Sequence, residues 1–242
     1  MTAIETRDLC KNYGAVRAVD RLNIKVERGE LFALLGVNGA GKSTAIKMLC
    51  ALVSPTDGDA ILLGRSVVRQ PEAVKAILGV CPQETAVAPN LTVEENLALM
   101  AGMHGLEKAQ RRKQTARMVE QFGLTEVRKI RAKNLSGGFQ RRLSIAMALI
   151  SSPEILFLDE PTLGLDVLAR RELWNMVWQL KGQMTIVLTT HYLEEAEALA
   201  DRICILGHGK VQALDTLAGL LKSTKTQSLE QAFVALAQEE KK

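Results

Sequence analysis

Two stretches of this chain could each hold a phosphate. The first, GVNGAGKST from Gly36 to Thr44, fits the pattern G-x-x-x-x-G-K-[ST] and lies between an apolar run, LFALL, and a helical one, TAIKMLC. Its glycines let backbone N–H groups converge on β- and γ-phosphates, Lys42 can neutralise their charge, and the Ser43 hydroxyl can ligate Mg²⁺. Gly36, Val37, Asn38, Gly39, Ala40, Gly41, Lys42, Ser43 and Thr44 are therefore candidate phosphate binders, with Val37 standing where related loops often have proline. The second stretch is LSGGFQRR, from Leu135 to Arg142. Ser136 is a good N-cap there, and Gly137 and Gly138 leave N–H groups bare before a helical run over 139–150. One nucleotide has one phosphate tail, so two such sites in one chain pose a question of stoichiometry.

The remaining chemistry sits at the ends of apolar runs. ILFLDE finishes in two carboxylates: Asp159 can hold the Mg²⁺ shell, and Glu160 can polarise a water for in-line attack on a γ-phosphate. His191 closes TIVLTT and is expected at the same sheet edge, in reach of the γ-phosphate or the attacking water. Gln83, in CPQET after ILGVC, can donate or accept near Mg²⁺ or the water. Tyr13, in the expected turn KNYGAV, offers either a flat ring for a purine or a packing surface for a small sheet. His104 and His208 lie in the turns MHGL and GHGK and are expected to face solvent.

These residues need a scaffold that gathers strand ends. LFALL, ILFL and TIVLTT have the profile of parallel strands buried on both faces, and ligands bind at the carboxyl ends of such strands. Residues 4–10 and 22–26 alternate apolar and polar, which predicts antiparallel strands about the KNYGAV turn. From about residue 88 to 150 the texture is helical: Thr92 and Glu95 have capping-box spacing, and helices are expected over 107–122 and 139–150. Beyond His191 the pattern predicts a helix over 193–200, strands over 202–206 and 211–214, and an amphipathic helix in SLEQAFVALAQEEKK.

At 242 residues and 47% hydrophobic, the chain can bury one α/β core and is near the size at which subdomains separate. The net charge of +4 fits nucleic acid or an anionic membrane surface only weakly, and an ordinary solvated surface better. Arg111, Arg112, Lys113, Arg128, Lys129, Arg131, Lys133, Arg141 and Arg142 cluster in the middle third and predict one positive face. Two Trp, two Tyr and five Phe are too few for base-stacking platforms. Cys10, Cys50, Cys81 and Cys204 form no C-x-x-C and read as small core residues in a reducing compartment. No charged-then-apolar leader and no membrane-length apolar run are visible, so a soluble, cytoplasmic chain is expected.

Taken in order, GVNGAGKST, Gln83, LSGGFQ, ILFLDE, Asp166 in LGLD and His191 resemble the motif set of the ATP-binding cassette (ABC) ATPase family, over nearly the whole chain from Tyr13 to about Leu214. The resemblance implies an α/β fold: a P-loop NTPase (RecA-like) core with an N-terminal antiparallel β-subdomain and an inserted helical subdomain. Its divisions would be 1–87 (β-subdomain and first part of the core), 88–150 (helical, with the signature), 151–215 (second part of the core) and 216–242 (C-terminal helical extension). It implies ATP and Mg²⁺, with Glu160, His191 and Gln83 catalytic and Ser43, Gln83 and Asp159 around the metal. Tyr13 would stack on adenine, Gln83 would be the Q-loop residue, Asp166 the D-loop aspartate and His191 the switch histidine. Ser136, Gly137, Gly138 and Gln140 would contact a nucleotide through the signature.

In that family two cassettes pack head to tail, so LSGG of one meets the γ-phosphate held by the other, which answers the question of stoichiometry. TTHYLEEAEALADRI, the GHGK turn and a short C-terminal extension are similar to ATPase subunits of ABC-2-type exporters of drugs, lipids or polysaccharides. That likeness implies a separately encoded transmembrane permease docked near Gln83 and residues 91–104, and a location peripheral to the cytoplasmic face of the inner or plasma membrane. The alternative is a soluble ABC ATPase acting on nucleic acid or ribosomes. Such relatives generally carry two cassettes, coiled coils or zinc insertions, whereas here about ninety residues without heptads or C-x-x-C pairs separate loop and signature, so no nucleic acid is expected. A nucleotide-gated switch that barely hydrolyses is disfavoured by intact Glu160 and His191.

Overall fold

Alternating apolar residues fold the start of the chain into an antiparallel sheet. The computed structural model describes residues 1–239. Its first half comprises β1 (Thr2–Tyr13), β2 (Val16–Leu22), β3 (Lys25–Glu27), β4 (Leu31–Leu35), α1 (Lys42–Leu49), β5 (Asp57–Leu62), β6 (Arg65–Ser66), α2 (Pro71–Lys75) and β7 (Leu78–Cys81). The antiparallel sheet has the order β2-β1-β5-β6, with β3 also paired to β1. KNYGAV is not a long turn: Tyr13 pairs with Val16, leaving Gly14 and Ala15 to reverse the chain, so Tyr13 ends a strand. Nor is 22–26 one strand. Asn23 breaks it by accepting from the Asp8 N–H at 2.8 Å and donating to the Asp8 carboxylate at 2.9 Å, so Leu22 pairs with Leu9 while Val26 pairs with Ile4.

The second half comprises α3 (Val93–Met103), α4 (Lys108–Gln121), α5 (Gly137–Ala148), β8 (Ile155–Asp159), α6 (Val167–Leu180), β9 (Thr185–Thr190), α7 (Leu193–Leu199), β10 (Arg202–Gly207), β11 (Lys210–Asp215), α8 (Leu217–Thr224) and α9 (Leu229–Glu239). α3 opens on a full capping box: Thr92 Oγ1 accepts from Glu95 N at 3.2 Å, and Glu95 Oε2 accepts from Thr92 N at 2.8 Å. Sequence patterning names one terminal helix where the structure has two, the first capped by Thr216; the end of the expected helix, 240–242, lies outside the described residues.

The larger sheet runs β11-β10-β4-β9-β8-β7, with β10 to β7 parallel and β11 returning antiparallel to β10. Its strands feed two cores by alternation. Leu31, Ala33, Leu156, Leu158 and Leu188 join a cluster with α3 to α7, while Phe32, Leu34, Phe157 and Val187 join one with α1 and the antiparallel sheet. Burial on both faces is why these runs are continuously apolar. The four cysteines are buried and free. α5 packs on α3 and α4 and also on β7, where Gly79 passes so near that a Cβ would lie 2.3 Å from the Ala148 carbonyl oxygen.

Candidate functional site at the carboxyl edge of the parallel sheet

β4, β7, β8 and β9 are parallel neighbours in one sheet, so their carboxyl ends deliver Gly36–Thr44, Gln83, Glu160 and His191 to one edge. A groove of about 540 Å³ opens there, lined by Asn38 to Thr44, Gln83, Glu160, Leu163, His191, Ala18 and Tyr13, the last 47% exposed. α1 starts at Gly41 without a side-chain cap, leaving its first N–H groups for a ligand. Gly41 has φ +101°, and a Cβ there would sit 2.5 Å from the Ala18 carbonyl oxygen, so only glycine fits. Lys42, 5% exposed, donates to the carbonyls of Gly36 at 2.8 Å and Val37 at 3.2 Å, and its Nζ is 3.6 Å from Glu160 Oε1. Burial pulls its pKa down, opposed by the Glu160 carboxylate.

The two carboxylates have different surroundings. Asp159 Oδ1 accepts from Thr189 Oγ1 at 2.5 Å and from Ser43 Oγ at 3.3 Å. A hydroxyl and a carboxylate facing each other beside the phosphate loop are hard oxygen donors that suit Mg²⁺, an ion that takes one or two protein ligands and completes its shell with water and phosphate. Glu160 sits on the other side: its Oε2 is 3.0 Å from His191 Nδ1. Its backbone is left-handed, with φ +46°, and its N–H is shared between the Thr189 carbonyl at 3.1 Å and Thr189 Oγ1 at 3.0 Å.

Sequence reasoning missed Thr189 and misjudged Arg141. Arg141 is not part of a positive face: it is 4% exposed and bonded to the backbone around Gln83 and Glu160. Arg142 pairs with Glu172, so it too is tied within the fold. Glu195, fully buried on α7, accepts from Trp174 Nε1 at 3.1 Å, and burial raises its pKa. His104 and His208 face solvent as expected.

Several candidates stay outside the groove. Ser136 and Gly137 are exposed at the start of α5, with the Ser136 hydroxyl accepting from Phe139 N at 3.5 Å. Gln140 donates to the carbonyls of Ala132 at 3.0 Å and Leu135 at 3.3 Å, so its amide braces its own chain. Asp166 caps α6 through Ala169 N at 2.9 Å. Gly36 and Val37 do not line the groove, and Val37 lines an adjoining cavity against β10 that shares Asn38, Gly39 and Ala40 with it.

A family model described as ABC transporter matches residues 19–163. The chain is 44% identical over 92% of its length to the daunorubicin/doxorubicin resistance ATP-binding protein DrrA of Streptomyces peucetius, covering 67% of that protein. Across several curated relatives, the share of the relative spanned runs from 11% to 71%. Among solved structures it is 32% identical to an ATP-binding subunit of an ABC transporter, covering 98% of this chain and 100% of that one at a TM-score of 0.87. It is 25% identical to a dimeric ATP-binding cassette in a post-hydrolysis state bound to ADP and Pi, covering 88% and 98% at a TM-score of 0.80. With its phosphate loop, paired acids and signature helix in one fold, the chain belongs to the ABC transporter family as one of its ATP-binding cassettes.

Proposed function

We propose that this cassette hydrolyses ATP as one of two head-to-tail subunits, and that closure and opening of the pair drive a separately encoded transmembrane permease. The observation that carries this reading is the one-sidedness of the groove. Lys42, Ser43, Glu160 and His191 line it, while the donors of Ser136, Gly137 and Gly138 sit outside it on the same chain. In a head-to-tail pair those donors and the positive end of α5 add to the triphosphate held by the other subunit, an attraction largely lost once the γ-phosphate leaves. Tyr13 stacks on the adenine and Asp166 lines the subunit junction in this reading. The divisions 1–87, 88–150, 151–215 and 216–242 belong to it as well, with α5 bridging the helical part and the core.

In the reaction, a water oxygen attacks the γ-phosphorus, the bond to the β-phosphate oxygen breaks, and ADP departs. Glu160 takes the water's proton on a carboxylate oxygen, with His191 holding the other oxygen and Gln83 orienting the water. Lys42 neutralises charge on the β- and γ-phosphates. Ser43 and Asp159 would hold Mg²⁺, which supplies further neutralisation when bound. Among the described residues no helix is long and apolar enough to cross a membrane, so attachment runs through the permease in this reading. The name of the Streptomyces peucetius relative ties that protein to daunorubicin and doxorubicin resistance, which favours export of a drug. Affinity purification from detergent-solubilised membranes tests the partner: a polytopic membrane protein should co-purify, and recovery of ribosomes or nucleic acid alone would contradict the proposal.

A further inference from the structure

We propose that Arg141 is a positioning residue for Glu160 and the Gln83 loop, and that it couples the α5 start that reaches the second subunit's nucleotide to hydrolysis in its own chain. The coupling rests on the head-to-tail reading above; the positioning does not. A guanidinium has five N–H donors. Arg141 gives Nε to the Pro161 carbonyl at 2.7 Å, Nη1 to Pro82 at 2.6 Å and Gln83 at 3.2 Å, and Nη2 to Asp159 and Glu160 at 2.8 Å each. Each acceptor is backbone, drawn from the ends of β7 and β8, and one planar fork holds both ends at fixed separation.

This fixes the catalytic carboxylate from behind. Glu160 adopts a left-handed backbone that a non-glycine residue keeps only where its surroundings over-determine it. Thr189 pins its N–H and Arg141 pins its C=O, so the direction of the side chain follows from a backbone held at both ends. The same Nη1 holds Pro82 and Gln83, so a shift of α5 moves both loops together. Ser136 lies five residues earlier on the same helix, about 7.5 Å along its axis. Seating of α5 on a nucleotide held by the second subunit is thereby transmitted to Glu160 and Gln83 of the chain that owns α5. Arg142, next in sequence, points instead to Glu172 at the surface and has no such reach.

Lysine keeps the charge at 141 but offers one nitrogen in place of a fork. Arg141→Lys should lower kcat by about tenfold to 10²-fold while KM for ATP stays within about twofold, because misplacement costs the chemistry rather than nucleotide binding. Unchanged kcat in a folded variant would overturn the proposal, and so would equal losses in kcat and nucleotide affinity. If Arg141→Lys does not fold, Arg141→Gln, which keeps two donors, takes its place. The cis direction is tested by mixing a Lys42→Ala chain with a Ser136→Arg chain, which leaves at most one site, built from the loop of the second and the signature of the first. Arg141→Lys placed in the Ser136→Arg chain, in cis to the working Glu160, should cut the turnover this pair retains, since the guanidinium holds the Glu160 carbonyl even where its own α5 has no nucleotide to seat on. Placed in the Lys42→Ala chain it should leave turnover within about twofold. Equal losses from both placements would overturn the positioning of Glu160 in favour of a merely sagging signature helix. Full turnover by either parent chain alone would instead overturn the head-to-tail reading and leave the kcat test of positioning standing.

Discussion

Helices α1 and α5 both have glycine at their start, Gly41 as the cap of α1 and Gly137 and Gly138 in the first turn of α5, but α1 starts inside a groove and α5 on an open surface. α1 has no side-chain cap, so its first N–H groups remain for a ligand, and Lys42 and Ser43 stand beside them. α5 is capped by its own Ser136, its first turn of Gly137, Gly138, Phe139 and Gln140 carries no cation, and its arginine at 141 is committed to five carbonyls. A helix start holds a triphosphate alone only when cations and a metal site share the load. α1 meets that condition, and α5 has the makings of the second half of a site.

Substitutions can break this contrast. Glu160→Gln should reduce phosphate release by about 10³-fold, the loss of a general base, while ATP stays bound and holds the pair closed. Ser136→Arg should reduce turnover by about 10²-fold through lost donors and steric bulk, yet leave calorimetric affinity of the single chain for ATP unchanged. Lys42→Ala should do the reverse in kind, weakening ATP binding by about tenfold to 10²-fold, since a charge-assisted bond is worth roughly 1.5–3 kcal/mol. If the two substitutions acted alike on single-chain affinity, α1 and α5 would not differ as described. Thr92→Ala marks the floor: it removes the α3 capping box and should cost about 1 kcal/mol in thermal unfolding without altering ATP affinity.

The edge of the sheet was legible because strands buried on both faces read as unbroken apolar runs, and each leads directly into residues that chemistry can use. LFALL, ILFLD and TIVLTT all became such strands. Thr189 was not legible, since a threonine inside an apolar run carries no mark that its hydroxyl will bridge Asp159 and the Glu160 N–H. Arg141 was hidden for the opposite reason: it sits among charges, and its acceptors lie 59 and 18 residues away at Pro82 and Asp159, joined only by the tertiary fold. The N-terminal antiparallel strands were legible but the extent of their turn was not, because strand pairing of Tyr13 with Val16 overrode turn-like composition.

Light scattering on the Glu160→Gln chain, with ATP and Mg²⁺, tests the shared site most directly. The 26.5 kDa chain should double in mass with ATP, return to monomer with ADP, and stay monomeric with ATP when Ser136→Arg is added. A chain that remains monomeric with ATP, or one that doubles regardless of Ser136, would contradict the shared site.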